Sequence, residues 1–278
     1  MRAARLIRKC ILLGARCLAA LLILVQPASQ ALAAPSENAS TPFGAKTASG
    51  GALIGIFYDL KQDQKRQPVK VDYLQTFAAF VDSGWDEAVL SPFFRVTRPI
   101  YATQVFTPYM PADEGPKVFG VENIVKPSHW LVVFKGQVSP PQDGVYRFVG
   151  ASDDVLAVAV NGKTVLVSDW NAGTNPTRWV EPEPVPKNAK GAMRFGDWFA
   201  CRHDQIIDLD VLIGEFPGGK FGAWLAYEKQ GVNYPLSTDP ALAGDPVVPV
   251  FQLAHQAIEP HDQRVPYTTD APPWKGWQ

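Results

Sequence analysis

The chain has 278 residues, 46% of them hydrophobic and 19% charged, with a formal net charge of −1. That is enough apolar material for one large core or two small ones. A balance this close to neutral excludes the strongly basic surface that nucleic-acid binding needs.

Residues 1–33 read as an export signal. Arg2, Arg5, Arg8, Lys9 and Arg16 precede an apolar core at 17–25, and Ala31, Leu32 and Ala33 form a small-x-small cleavage pattern. The core is too short to span a bilayer, which needs roughly 20 apolar residues. No membrane insertion is expected after cleavage, and the mature protein is expected to be periplasmic or extracellular. Without the five basic residues of 1–33, 21 Lys and Arg face 27 acids, a net charge of −6. An acidic exported protein is a poor match to nucleic acid or to an anionic membrane. Cys10 and Cys17 leave with the signal, so Cys201 is alone and no internal disulfide can form.

Residues 34–50 are rich in Ala, Ser, Thr, Gly and Pro and read as a flexible tether. A single β domain is expected over 51–254, opening with a strand at 52–60. Over 71–83, Val71, Leu74, Phe77, Phe80 and Val81 recur near a 3.6 period and end at Ser83-Gly84, which predicts one short helix. Strands are predicted at 100–106, 130–138, 145–149, 155–160, 163–167, 206–213, 221–228 and 246–253. Short strands, many prolines and one helix argue for an all-β fold, an antiparallel sandwich or barrel. The loop at 168–198 carries four prolines and the tryptophans Trp170, Trp179 and Trp198. Loops that long are often functional. Residues 255–278, with Trp274 and Trp277, read as a poorly ordered Pro-rich tail.

The stretch 144–167 is the most informative. Asp153 and Asp154 are followed by an apolar run and then by Asn161-Gly162, a strong hairpin signal because both turn residues tolerate positive φ. Two adjacent carboxylates repel each other unless something positive lies between them, and a hard cation with oxygen ligands answers that need. Catalytic patterns are missing. The four histidines form no HExxH, and 150–154 ends in Asp where a nucleophile elbow needs Gly. Immediate neighbours do not meet the spacing of a glycosidase acid pair. The protein is therefore expected not to be an enzyme.

The order Trp130–Gly136, Ser139-Pro-Pro, Gly144–Phe148, Ser152–Leu156 and Val160–Gly162 resembles the protective-antigen-type ("PA-fourteen") domain. Phe57-Tyr58-Asp59 and 208–228 fit the same pattern, so the likeness covers about 51–235. The resemblance implies a lectin-like, non-catalytic β module. It also implies that consecutive aspartates, here Asp153 and Asp154, bind Ca²⁺ that in turn coordinates sugar hydroxyls. Neighbouring strand residues point to opposite faces, so both carboxylates converge only through a turn or a cis peptide. The asparagine that completes the site in adhesin members is missing from 215–220. Glu215 replaces it as a ligand, or Lys220 neutralises the pair with no metal. A glycan or polysaccharide is the expected ligand, with Trp170 or Trp179 stacking on a sugar ring. The alternative is a structural module that docks an exported protein partner, with neither metal nor glycan.

Overall fold

Asn161 and Gly162 have φ of 50° and 75°, the pair of positive values that a two-residue hairpin connection requires. The strands on either side run antiparallel, with Val160 opposite Lys163. A computed structural model describes residues 41–48, 50–169, 175–183, 193–240, 242–256, 258 and 266–277. The predicted signal, residues 34–40 and 49 of the predicted tether, and Trp170 lie outside the described residues; the described part of that tether is not free, since Phe43 is buried and Ala45 pairs with Tyr101.

In chain order the elements are β1 (Leu53–Asp63), α1 (Tyr73–Asp82), β2 (Phe93–Arg95), β3 (Ile100–Ala102), β4 (Phe106–Pro111), α2 (Glu114–Val118), β5 (Trp130–Ser139), β6 (Gly144–Asp153), β7 (Val155–Val160), β8 (Lys163–Asp169), β9 (Arg194–Phe195), β10 (Phe199–Cys201), β11 (Ile207–Glu215), β12 (Lys220–Lys229), β13 (Val248–Pro249), β14 (Tyr267–Thr268) and β15 (Lys275–Trp277). The larger sheet runs β2-β1-β5-β11-β7-β8, with β3 on β1 and β15 on β5. The smaller runs β10-β6-β12-β4, with β9 on β6. Both are antiparallel and open, so the fold is a sandwich and not a closed barrel. Alternation along each strand explains the layers. Phe57, Trp130, Phe134 and Val211 of the larger sheet meet Phe148, Phe221, Leu225 and Tyr227 of the smaller in the central core. The opposite face of the larger sheet, with Tyr58, Leu131, Val133 and Leu212, is covered by Tyr73, Phe77, Phe80 and Val81 of α1. Asp72 caps that helix by accepting from the Gln75 N–H at 3.1 Å.

Three expectations are corrected. The stretch 100–106 is not one strand: β3 ends at Ala102, and β4, in the other sheet, begins at Phe106. Only Val248–Pro249 of 246–253 is a strand. A second helix, α2, has five residues that include Gly115 and Pro116, which hide it from periodicity; Pro is tolerated there because it lies in the first turn.

The chain end also departs from expectation. Residues 266–277 are not a poorly ordered tail. Trp274 is 1% exposed and packs among Tyr146, Phe148, Tyr227 and Phe251. β15 extends the larger sheet by pairing with β5, and Trp277 Nε1 donates to Ser139 Oγ at 2.9 Å. Among the described residues no helix is long and apolar enough to cross a membrane.

Candidate functional site

β6 belongs to the smaller sheet and β7 to the larger, so Asp153 and Asp154 form the crossover between them. The Asp153–Asp154 peptide bond is cis. Beneath the crossover, Ser152 Oγ bonds the Ser168 carbonyl at 3.0 Å and the Ser168 hydroxyl at 3.2 Å. Those contacts tie the end of β6 to the end of β8. The crossover is thus built from β6, β7 and β8, and β11 closes it from the side. The Asp154 N–H faces the Gly214 carbonyl at 3.4 Å, and Asp154 Oδ2 accepts from the Phe216 N–H at 2.6 Å.

This arrangement gathers three acids. Asp153, Asp154 and Glu215 are 6%, 9% and 0% exposed. Burial, reinforced by Asp153, pushes the Asp154 carboxyl up to about 7, against the opposing pull of the Phe216 N–H. Burial and then the Asp154 charge push Glu215 up to about 8. Neither Glu215 oxygen has a hydrogen-bond partner of full geometry, although the Gly218 N–H and the Asp154 carboxyl are close enough to influence it. A buried carboxylate left in that state is costly unless it is neutralised by a proton or a cation. Among the described residues no group of three or more His, Cys, Asp or Glu side chains is placed so that it could hold a metal ion as it stands. The acids therefore share a neighbourhood and strong mutual repulsion, not a closed coordination shell.

An aromatic wall stands beside them, and sequence reasoning missed it. Tyr73, the first residue of α1, donates from its hydroxyl to the Trp130 carbonyl at 3.2 Å. Its ring stacks on Phe216 at 5.2 Å, and His129 meets both rings edge-on. Burial first, then Asp154 and Glu215, raise the Tyr73 phenol well above its ordinary value. The wall needs Gly214, because a Cβ there would meet the Tyr73 hydroxyl and lie 2.8 Å from the Trp130 oxygen. The only sequence cue was the helix phase, which carries Tyr73 onto the same face as Phe77.

The other sequence-named residues fall elsewhere. Lys220 sits over the Tyr109 ring at 5.0 Å. Trp179 is half-buried and packs against the apolar clusters on both faces of the larger sheet, so only part of its ring is open. Trp198 is 40% exposed and lays one face on the Arg147 guanidinium at 4.5 Å. Cys201 is a buried free thiol.

The crossover, the hairpin after it and the strands that carry both fall inside one family match. Residues 116–192 match the PA14 domain. The PA14 match thus includes the Asp pair and stops short of Glu215. No curated protein matches the chain. Among solved structures, it is similar to the PA14 domain of the MpAFP antifreeze protein, at 15% identity over 66% of this chain and 86% of that one, with a TM-score of 0.39. It is similar to a PA14 sugar-binding domain from an RTX adhesin, at 16% identity over 67% and 94%, with a TM-score of 0.33. A third is the A domain of epithelial adhesin 6 from Candida glabrata, in complex with Galβ1-3GlcNAc, at 14% identity over 70% and 89%, with a TM-score of 0.39.

Proposed function

We propose that the protein is an exported, non-catalytic carbohydrate-binding module whose Asp153 and Asp154, joined by Glu215, hold Ca²⁺. The observation that carries this reading is the burial of three carboxyls together, with Asp154 and Glu215 held far above the ordinary carboxylate range. A divalent oxygen-loving cation suits that donor set better than a transition metal would, because no imidazole or thiolate belongs to it. A bound Ca²⁺ would neutralise the acids and offer coordination positions to vicinal sugar hydroxyls. The chain's own residues do the rest. The Phe216 N–H orients Asp154, the Ser152–Ser168 contacts fix the crossover, and the Tyr73–Phe216 wall keeps water from one side of the acids. The PA14 match supports a glycan as the ligand.

The alternative, docking of an exported protein partner, drew on an isolated domain, its tether and a Trp-bearing tail. The tail no longer supports it, since Trp274 is a core residue.

Calorimetry against galactose- and glucose-based oligosaccharides and polysaccharides, in calcium and then in chelator, tests the proposal. Binding is expected in calcium, lost in chelator, and lost in Asp154→Asn. Absence of binding to every glycan in saturating calcium would overturn the glycan ligand, and binding that persists in chelator would overturn the role of the ion.

A further inference from the structure

A cleft of about 550 Å³ lies elsewhere on the molecule and shares no lining residue with the acidic site. Three segments build it. Ala45 and Tyr101 exchange N–H···O bonds of 2.9 and 2.8 Å, which lays Lys46 and Thr47 beside β3. Residues 96–101 form the floor, anchored where the Val96 N–H donates to the Phe57 carbonyl at 3.0 Å. The end of α2 at Val118, and Phe119 and Val121 around the chain reversal at Gly120 (φ of 69°), form the far wall. The Phe119 ring is fixed against Phe57 at 5.1 Å.

The lining is one-sided in charge. Lys46 and Arg98 are both exposed at the mouth, and no acidic side chain lines the cleft among the described residues. The acids at the start of α2, Asp113 and Glu114, are each held by Lys117 at 2.8 Å and so are engaged elsewhere. Below the two cations lie buried Val96, Ile100 and Phe119, with hydroxyls from Thr47 and Thr97 at the rim. Two cations with no acidic side chain lining the cleft among the described residues form a local positive well, which a low-dielectric floor strengthens. The volume lies within the roughly 300–1,000 Å³ typical of small-molecule sites.

We infer that this cleft binds a small organic anion, a carboxylate or sulfate on a ring-sized body, its charge between Lys46 and Arg98 and its ring on the Val96–Phe119 floor. The guanidinium fork suits bidentate contact with either oxyanion. The inference does not depend on calcium or on the acidic site.

Titration calorimetry in chelator at low ionic strength, with galacturonate and benzoate as probes, separates a sugar acid from an aromatic acid. Neutral galactose and benzyl alcohol are the matched controls. At least one anion is expected to bind, its neutral counterpart at least about tenfold more weakly, and added salt should weaken the anion further. Arg98→Gln and Lys46→Gln should each cost about tenfold in affinity with unchanged melting, because both side chains are exposed. Failure of both anions to bind, equal binding of a neutral control, or unaltered affinity in both variants would overturn the inference.

Discussion

Raising the pH from about 4 to about 8 is expected to lower the stability of the calcium-free protein by on the order of 3 kcal/mol. The sign follows from the acid cluster. Burial, with repulsion from Asp153 on Asp154 and from Asp154 on Glu215, holds these carboxyls up to about 7 and about 8 in the folded state, against ordinary values of 3.8 and 4.5. The folded protein therefore keeps protons that the unfolded chain has already released. That contribution is complete below the unfolded values and is lost as pH rises through the folded ones. On the proposed calcium site, saturating Ca²⁺ would replace the protons, so its stabilising effect should be greatest near pH 8 and smallest near pH 5, where protons compete for the same oxygens. Thermal melts across this range, with and without chelator, read it directly, at about 2–4 °C per kcal/mol for a protein of this size. Glu215→Gln should flatten the slope and raise calcium-free stability near pH 8. Asp154 stays raised mainly by its own burial, and Glu181 is also pushed up to about 7 by burial, so a shallower slope should survive in that variant. A calcium-free protein equally stable at both ends of the window would contradict the buried cluster.

Trp274→Ala is expected to cost about 3–5 kcal/mol, the range for a large aromatic removed from a packed core. Its ring lies 5.3 Å from Tyr146, 5.5 Å from Tyr227 and 5.7 Å from both Phe148 and Phe251, and the residue's backbone N–H donates to the Gln252 carbonyl at 2.8 Å. Those partners belong to β6, β12 and the segment after β13, so the ring joins the smaller sheet to the chain end. Urea denaturation monitored by far-UV circular dichroism measures the loss. A cost under about 1 kcal/mol would mean that the chain end adds little to the fold.

Why Trp274 was illegible in the sequence is plain physically. Its neighbouring strand, β15, has three residues and pairs with residues 137–139. So short an element shows no alternation, and the pairing spans about half of the chain. The split between β3 and β4 was hidden for a different reason. Tyr101, Val105 and Phe106 keep the stretch apolar, yet Val105 only bridges two strands by accepting from the Leu225 N–H at 2.9 Å. By contrast, the β7–β8 hairpin was readable, because its turn demands residues that tolerate positive φ, β7 is uniformly apolar and β8 has an apolar centre at Val165, Leu166 and Val167.

The candidate site was half legible. Asp153 and Asp154 stand out as neighbours in any reading of the chain. Glu215 enters the sequence reading only through the resemblance, as a stand-in for the missing asparagine, and it is β11 that brings it beside them at the end of an apolar strand. Tyr73, His129 and Phe216 come from three distant stretches, and no local pattern marks them as one wall.

The central claim is that these acids hold a calcium ion, and titration of the purified protein with calcium by calorimetry near pH 8 tests it most directly. The predicted result is a single saturable site on the native protein that releases protons on binding, with no such site on Asp154→Asn. A native protein that gives no binding heat, or an Asp154→Asn variant that keeps the same site, would contradict it.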